Sequence, residues 1–466
     1  MTIRRFTARS AMPAVARDVF AWHAREGALE RLLPPWERVE VAERQGGIRD
    51  GGRVRLRLRA GPFTVEWLAV HGAFEEGRSF VDEQASGPFA RWVHTHRFEE
   101  AGEGSSVLED SIEYGLPLGP VGDLAGRRLV ESRLRRMFAY RHEVTRADLE
   151  RHRAVSPGRT MRIAVSGASG LLGRSLDAFL SAGGHEVHRI VRRGNPGPRE
   201  IPWDPRGGFL DAERLEGMDA VVHLAGENIA SGRWNAARKA AILESRAAGT
   251  RLVAETLAAL TTPPRVFLGA SAVGYYGDRG DERLDESAAS GRGFLAEVCR
   301  QWEAAALPAA RRGIRVAHLR FGVVLSAAGG ALARMLPAFR FGAGGPVGSG
   351  RQFVSWISRE DAIGAVHFAL CREEISGAVN VASPEPVPGA ALAKTLGRVL
   401  GRPAVARLPA GAVRLVLGEM GSELLLASQR VEPRRLLDAG FPFRQADLET
   451  ALRFELGRGP RWPRAC

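Results

Sequence analysis

The chain has 466 residues, 45% of them hydrophobic, an ordinary balance for a soluble globular protein of two or three domains. No apolar run reaches the roughly 18 residues that mark a membrane-crossing helix, and the charged opening MTIRRFTARSAMPAVARDVFAW lacks the apolar segment of a signal peptide, so a cytoplasmic protein with no membrane span is expected. The net charge of +13 invites nucleic acid as a partner, yet only Lys239 and Lys394 are lysines and arginines run through the whole chain, which reads as a coding bias and excludes nucleic acid as the main partner.

Residues 1–153 have a pattern of their own. A strand around Arg4–Arg9 precedes helical PAVARDVFAWHARE and ALERLLPPWE, and alternating stretches follow at 54–60, 63–74, 78–86, 90–100 and 105–117. Period-2 alternation at this spacing predicts an antiparallel meander. A long amphipathic helix from about Val121 to Arg153 closes the segment, with Leu129, Leu134, Met137, Phe138 and Tyr140 available for an inner face.

That order of elements, with the run F-x-D-x-Q-x-x-G-P-F-x-x-W-x-H-x-H-x-F from Phe80 to Phe98, resembles the SRPBCC (START-like, polyketide cyclase/dehydrase) superfamily. The resemblance implies an α+β helix-grip fold with an apolar cavity between sheet and helix, suited to a small hydrophobic ligand. His94 and His96 share one strand face, with Asp82 and Glu113 near them. They are read as polar residues on a solvated or partly wet sheet face, with a metal or acid/base site as the alternative, and no metal is assigned.

Residues 154–160, AVSPGRT, form a turn-rich linker. Beyond it, Met161–Leu180 reads as strand, glycine turn and amphipathic helix, with Leu172, Leu176 and Phe179 at helical spacing. Gly167 would allow the tight turn, Gly170 would admit a pyrophosphate to the backbone, and Gly173 would let helix and strand pack closely, with the helix N-terminus facing the phosphates. The next strand, within 183–193, ends in Arg192 and Arg193, where an NAD-specific fold carries an acidic residue. A cationic pair suits a 2′-phosphate, so NADP(H) is favoured over NAD(H). Buried strand MDAVVHLAGENI ends at Leu224, Ala225 and Gly226, small enough in part for the cofactor to pass alongside. Strands and helices alternate from there on, predicting a doubly wound parallel sheet, an α/β Rossmann-type fold.

The motifs SGASGLLGR (166–174), DAVVHLAGENI (219–229), ILESRAAGT (242–250), SAVGYYGD (271–278), QWE (301–303), RFGVVL (320–325), GGPVGSGRQFVSWISREDAI (344–363), NVASPEPV (380–387) and LLASQRVEPRRLLDAGFPF (425–443) resemble the extended, epimerase/dehydratase-type short-chain dehydrogenase/reductase superfamily, in its atypical SDR39U-type branch. The resemblance implies a Rossmann epimerase-like domain over 161–410 and a small C-terminal module over 411–466, usually called a domain of unknown function (DUF1731). It implies cofactor contacts from Gly167, Ser169, Gly170, Leu171, Leu172 and Gly173, Arg192 near the 2′-phosphate, and Leu224, Ala225 and Gly226 along the ribose. Arg351, Gln352 and Trp356 become substrate-side candidates.

The proton-transfer machinery of that superfamily is missing. Its Tyr-x-x-x-Lys pair has no counterpart: after the linker the only tyrosines are Tyr275 and Tyr276, and neither has a lysine four residues on. With Glu303 placed at the glutamate that commonly follows the pair, the tyrosine position falls at Leu295 and the lysine position at Cys299. Ser271 and Tyr276 remain as substitute catalytic candidates, and Glu303 is read as structural. The sequence thus predicts an NADP(H)-binding oxidoreductase or epimerase-like protein of atypical mechanism acting on a small-molecule substrate, with a hydrophobic or conjugated carbonyl suggested by the fused cavity domain. A non-catalytic NADP(H) sensor or scaffold and a sugar-nucleotide epimerase are the alternatives, and the oligomeric state stays open.

Overall fold

The computed structural model describes residues 2–61, 63–117, 119–156, 158–192 and 196–459. The chain divides into two compact units, Met1–Gly158 with Ala178–Gly184 and Arg453–Cys466, and Arg159–Asp177 with His185–Leu452.

In the first unit the order is β1 (Arg4–Met12), α1 (Ala16–Ala24), α2 (Ala28–Leu32), β2 (Val39–Gln45), β3 (Arg53–Ala60), β4 (Phe63–Glu75), β5 (Ser79–Ser86), β6 (Arg91–Gly102), β7 (Ser105–Gly115) and α3 (Gly119–Val155). The seven strands form one sheet in the order β1-β7-β6-β5-β4-β3-β2. The predicted meander is therefore closed by β1 returning beside β7, antiparallel, with Phe6 opposite Ile112. Sequence alternation missed β2, a charged strand at the sheet edge, where one neighbour suffices to define it. Trp92, His94, His96 and Phe98 of β6 and Leu108, Asp110, Ile112 and Tyr114 of β7 point inward, as a period of two requires. Leu134, Phe138 and Tyr140 of α3 are buried against this side, but Leu129 is 74% exposed. It lies five residues before Leu134, about 140° round the helix, so the inner stripe cannot include both.

The second unit opens with β8 (Arg162–Ser166), α4 (Leu171–Ala182), β9 (Glu186–Val191), β10 (Glu200–Asp204), β11 (Phe209–Leu210), β12 (Ala220–His223), α5 (Ala236–Ala259), β13 (Val266–Ala272) and α6 (Phe294–Ala304). Its main sheet has the order β11-β10-β9-β8-β12-β13, continued by Arg315–Phe321 and Gly377–Val381. Every pairing in it is parallel except β10 with β11. The strands are apolar on both faces (β12 is buried throughout) because helices cover both sides. Chain order runs outward in one direction from β8 to β10 and in the other from β12 onward. That reversal opens a crevice at the carboxyl ends of β8 and β12, where ligands of such sheets bind.

Candidate functional site

Gly167 follows β8 with φ +71°, a left-handed conformation that glycine adopts freely. A Cβ there would lie 2.8 Å from the amide nitrogen of Ala225, so the turn is pressed against the loop after β12. A Cβ on Gly173 would come within 2.2 Å of the Gly167 carbonyl, which is how closely α4 begins against the turn. Gly170 is less constrained: a Cβ would meet only the Gly167 oxygen at 3.2 Å, and the residue is exposed with Ser169. Leu171 and Leu172 open α4, so the amide groups of its first turn have no partner within the helix and face the same crevice. Such a turn before a helix N-terminus has the form that could hold a pyrophosphate, and the described residues fit a dinucleotide.

The two sides of the crevice are tied at their base. Ser166 Oγ donates to His223 Nδ1 at 2.7 Å and accepts from the backbone amides of Leu224 and Ala225 at 3.2 and 3.3 Å. Burial pushes the His223 pKa down to about 4, so the ring is neutral and its Nδ1 free to accept. Leu224 and Ala225 are half-buried, and Gly226 is exposed beside them. Arg246 of α5 reaches this edge: its guanidinium lies 4.9 Å from the Trp302 ring centroid, and a Cβ on Gly226 would be 3.3 Å from its Cζ. Arg192, just past β9, is exposed; Arg193 lies outside the described residues.

At the end of β13 the substitute catalytic candidates are already engaged. Ser271 is 3% exposed and its hydroxyl donates to Glu303 Oε1 at 2.7 Å. Arg320 donates to both oxygens of the same carboxylate at 2.8 Å, a bidentate pair. A third guanidinium nitrogen of Arg320 donates to the Tyr276 hydroxyl at 2.9 Å, and that hydroxyl donates to Asn380 Oδ1 at 2.7 Å. Tyr276 is 0% exposed, and burial pushes its pKa up to about 12 despite the neighbouring Arg320. As a displaced acid, Tyr276 would have to give its proton from this buried position, where the hydroxyl is already held by Arg320 and Asn380. Tyr275 lies with its ring centroid 3.5 Å from the Arg320 Cζ, stacked on the cation. Cys299 is buried, its thiol 3.7 Å from the carbonyl of Ala272, and burial pushes its pKa up to about 11. Sequence reasoning missed Arg320, Asn380 and Arg246; a charged residue ending the apolar strand IRVAHLRF was the available signal for the first.

The substrate-side candidates divide. Arg351 is exposed. Gln352 is 9% exposed and spends its amide nitrogen on the carbonyls of Val347 and Leu425, both at 3.0 Å. Trp356 is fully buried on its strand, with Nε1 donating to the Glu385 carbonyl at 3.0 Å. Trp356 is therefore a core residue, and Gln352 holds loops together.

The first unit contains a cavity of about 530 Å³, lined largely by apolar side chains including Leu29, Val54, Leu56, Trp67 and Met137. Its floor is polar, with Asp82, His94, His96, His23 and His71. Of the reading as a solvated or partly wet face, the solvated half does not hold: His94 and His96 are 3% and 7% exposed and line the cavity. Antiparallel register sets Asp82 opposite His94 and His96 opposite Asp110, so four polar groups meet on the concave face. His94 Nδ1 lies 3.0 Å from Asp82 Oδ2, and its Nε2 lies 2.9 Å from Asp110 Oδ1. Burial alone would discharge His94, but the two carboxylates outweigh it and push its pKa up to about 9. Asp110 Oδ2 accepts from His142 Nε2 at 2.6 Å, and His142 Nδ1 lies 2.8 Å from Ser10 Oγ. Glu113 is on the opposite, outer face and pairs with Arg5. Asp110, between Leu108 and Ile112 in the alternation of β7, was the inward carboxylate that the pattern offered.

Strand order, switch point and glycine cradle define the second unit as a dinucleotide-binding domain of the extended short-chain dehydrogenase/reductase type. Residues 163–382 match the model of the NAD dependent epimerase/dehydratase family, residues 12–138 that of polyketide cyclase / dehydrase and lipid transport, and residues 408–455 a domain of unknown function, DUF1731. An epimerase family protein of Mycobacterium bovis is 43% identical over 296 residues, covering 64% of this chain and 98% of its own. Human epimerase family protein SDR39U1 is 38% identical over 297 residues, covering 63% and 99%. Among solved structures, the nucleoside-diphosphate sugar epimerase from Corynebacterium glutamicum superposes with a TM-score of 0.79 at 35% identity, over 97% of this chain and 90% of that one. Human SDR39U1 (isoform 2) with NADPH gives a TM-score of 0.58 at 36% identity, over 64% and 99%. The chain belongs to the NAD-dependent epimerase/dehydratase family, among the epimerase family proteins that include SDR39U1, and is an NAD(P)-binding epimerase-like protein. Among the described residues, no helix is long and apolar enough to cross a membrane.

Proposed function

We propose that the chain is a cytoplasmic NADP(H)-dependent oxidoreductase or epimerase-like enzyme of atypical mechanism, whose first unit takes a small apolar ligand. The observation that carries the reading is the crevice formed by Gly167–Gly173 and Leu224–Gly226, with Arg192 exposed at the end of β9 in place of an acidic residue. The human relative solved with NADPH supports the phosphorylated cofactor. Bound there, the cofactor would supply or accept hydride. The chain's own residues do the rest: first-turn amides of α4 hold the diphosphate, Arg192 pairs with the 2′-phosphate, and Arg246 brings to the Gly226 edge a cation that the absent lysine would otherwise provide. Arg351 is the exposed group proposed to meet the substrate. The cavity of about 530 Å³ supports a largely apolar partner molecule, since most of its lining is hydrocarbon and its volume suits a small ligand.

A second reading, a sensor that binds NADP(H) without turnover, is favoured by the closed Ser271–Glu303–Arg320–Tyr276 network, which leaves none of these groups spare for proton transfer. A sugar-nucleotide epimerase proper would need the same missing proton donor. Incubation with NADPH tritiated on the nicotinamide and a panel of apolar carbonyl compounds separates the readings. Label in a product supports the enzyme; intact cofactor with every compound, despite saturable binding, supports the sensor.

A further inference from the structure

The polar floor of the cavity is made of residues that the dinucleotide site does not use. His94 Nδ1 and His96 Nε2 face the same oxygen, Asp82 Oδ2, at 3.0 and 3.3 Å. The opposite ring nitrogens, His94 Nε2 and His96 Nδ1, face one oxygen of Asp110 at 2.9 and 2.7 Å. Bonds of about 2.0–2.2 Å from a cation to imidazole nitrogen and carboxylate oxygen place neighbouring ligand atoms roughly 3.0–3.4 Å apart. The two spacings to Asp82 Oδ2 fall in that range, and one ligand atom from each of the three residues lies within 4.8 Å of the others. The outer carboxylate is where a metal-binding histidine sends its second N–H, fixing tautomer and ring plane, and Asp110 is in turn held by His142. Of the two rings, His94 is hydrogen-bonded to Asp110 through Nε2, whereas His96 Nδ1 lies 2.7 Å from the same carboxylate without an aligned hydrogen bond to it.

We propose that Asp82, His94 and His96 bind one divalent transition cation of the Zn²⁺ or Fe²⁺ class. Nitrogen ligands argue against Mg²⁺ and Ca²⁺, which prefer oxygen throughout. Three protein ligands leave coordination positions open. All three residues line the cavity, so those positions face its interior and would take a carbonyl, carboxylate or hydroxyl oxygen of an otherwise apolar molecule. The inference stands on this cavity alone, independent of the cofactor site.

The test uses the full-length chain without an affinity tag, stripped by chelator and then titrated with Co²⁺, read by visible absorption, and with Zn²⁺ by equilibrium dialysis. One cation per chain is expected, with Co²⁺ bands of a nitrogen–oxygen site. Asp82→Asn and His96→Ala should weaken uptake by at least about 100-fold, and Asp110→Asn by about 10–100-fold through the ligands it orients. Glu113→Gln, on the outer face, should bind as the parent does. Far-UV circular dichroism and NADPH affinity are recorded on each variant, so that a lost ligand is distinguished from a lost fold. The folded parent taking up no stoichiometric cation overturns the proposal whatever the variants do. Uptake unchanged in folded Asp82→Asn or His96→Ala overturns it equally.

Discussion

Replacing Arg320 by Met should destabilise the second unit more than any other single change at its site. Arg320 is 3% exposed, holds Glu303 in a bidentate pair and donates to Tyr276, so its loss strands a carboxylate that is itself mostly buried. Breaking a buried ion pair by removing one partner costs about 3–5 kcal/mol. For a unit of this size that is a fall of roughly 6–10 °C in its thermal transition. Converting both partners, Arg320→Met with Glu303→Met, removes the stranded charge and fills the space with hydrocarbon. The double variant should recover at least about 2 kcal/mol relative to the sum of the two single changes. Differential scanning calorimetry of the full chain reads this directly, with the two units allowed separate transitions. A single variant within about 1 kcal/mol of the parent, or a double variant as unstable as the sum of the singles, would refute the view that this network is a charge-paired core element.

Gly173→Ala should drive a methyl group into the Gly167 carbonyl, 2.2 Å away, and push α4 off the turn. NADPH affinity measured by fluorescence titration should fall at least about tenfold, the equivalent of roughly 1.4 kcal/mol, within the range for overpacking; unchanged affinity would remove the loop from the cofactor site. Tyr276→Phe leaves Asn380 and Arg320 each short of a partner, so thermal stability should drop by about 1–3 kcal/mol. Any NADPH-dependent turnover should persist per folded molecule, whereas its abolition would restore Tyr276 as the proton donor. His223 is neutral in the fold with a pKa near 4 and would titrate near 6.5 when unfolded. The unfolded chain then binds the extra proton first, so stability is full above pH 6.5 and is lost as pH falls towards 4, by roughly 3 kcal/mol at most. His223→Asn, which keeps an acceptor for Ser166, should flatten that part of the melting-temperature profile; an unaltered slope would mean that other groups carry it.

Much of the fold was readable because its signals are periodic. The alternation of β6 and β7 located both strands and put His94 and His96 on one shared face, and the strand–glycine–helix spacing located β8 and α4. What the pattern could not supply was the register between strands. Whether an inward histidine meets water or a carboxylate depends on which residue stands opposite, and only pairing brings Asp110 of β7 against His96 of β6. In the second unit the inventory showed that the Tyr-Lys pair is absent but not what fills its place. Arg320, Glu303, Ser271 and Asn380 come from four separate stretches, and no local spacing links them. Motif position singles out Tyr276 and Trp356, and only the fold shows that both are buried with hydrogen-bond partners in the core.

Comparative titration of the full chain with NADPH and NADH tests the central claim most directly. Arg192 is exposed just past β9, where it is proposed to make a charge-assisted contact to a 2′-phosphate. Such a bond is worth about 1.5–3 kcal/mol, so NADPH should bind roughly 10–100-fold more tightly than NADH, and Arg192→Ala should close most of that gap by weakening NADPH alone. Equal affinities for the two cofactors would contradict the assignment of Arg192, and binding of neither would contradict the dinucleotide site itself.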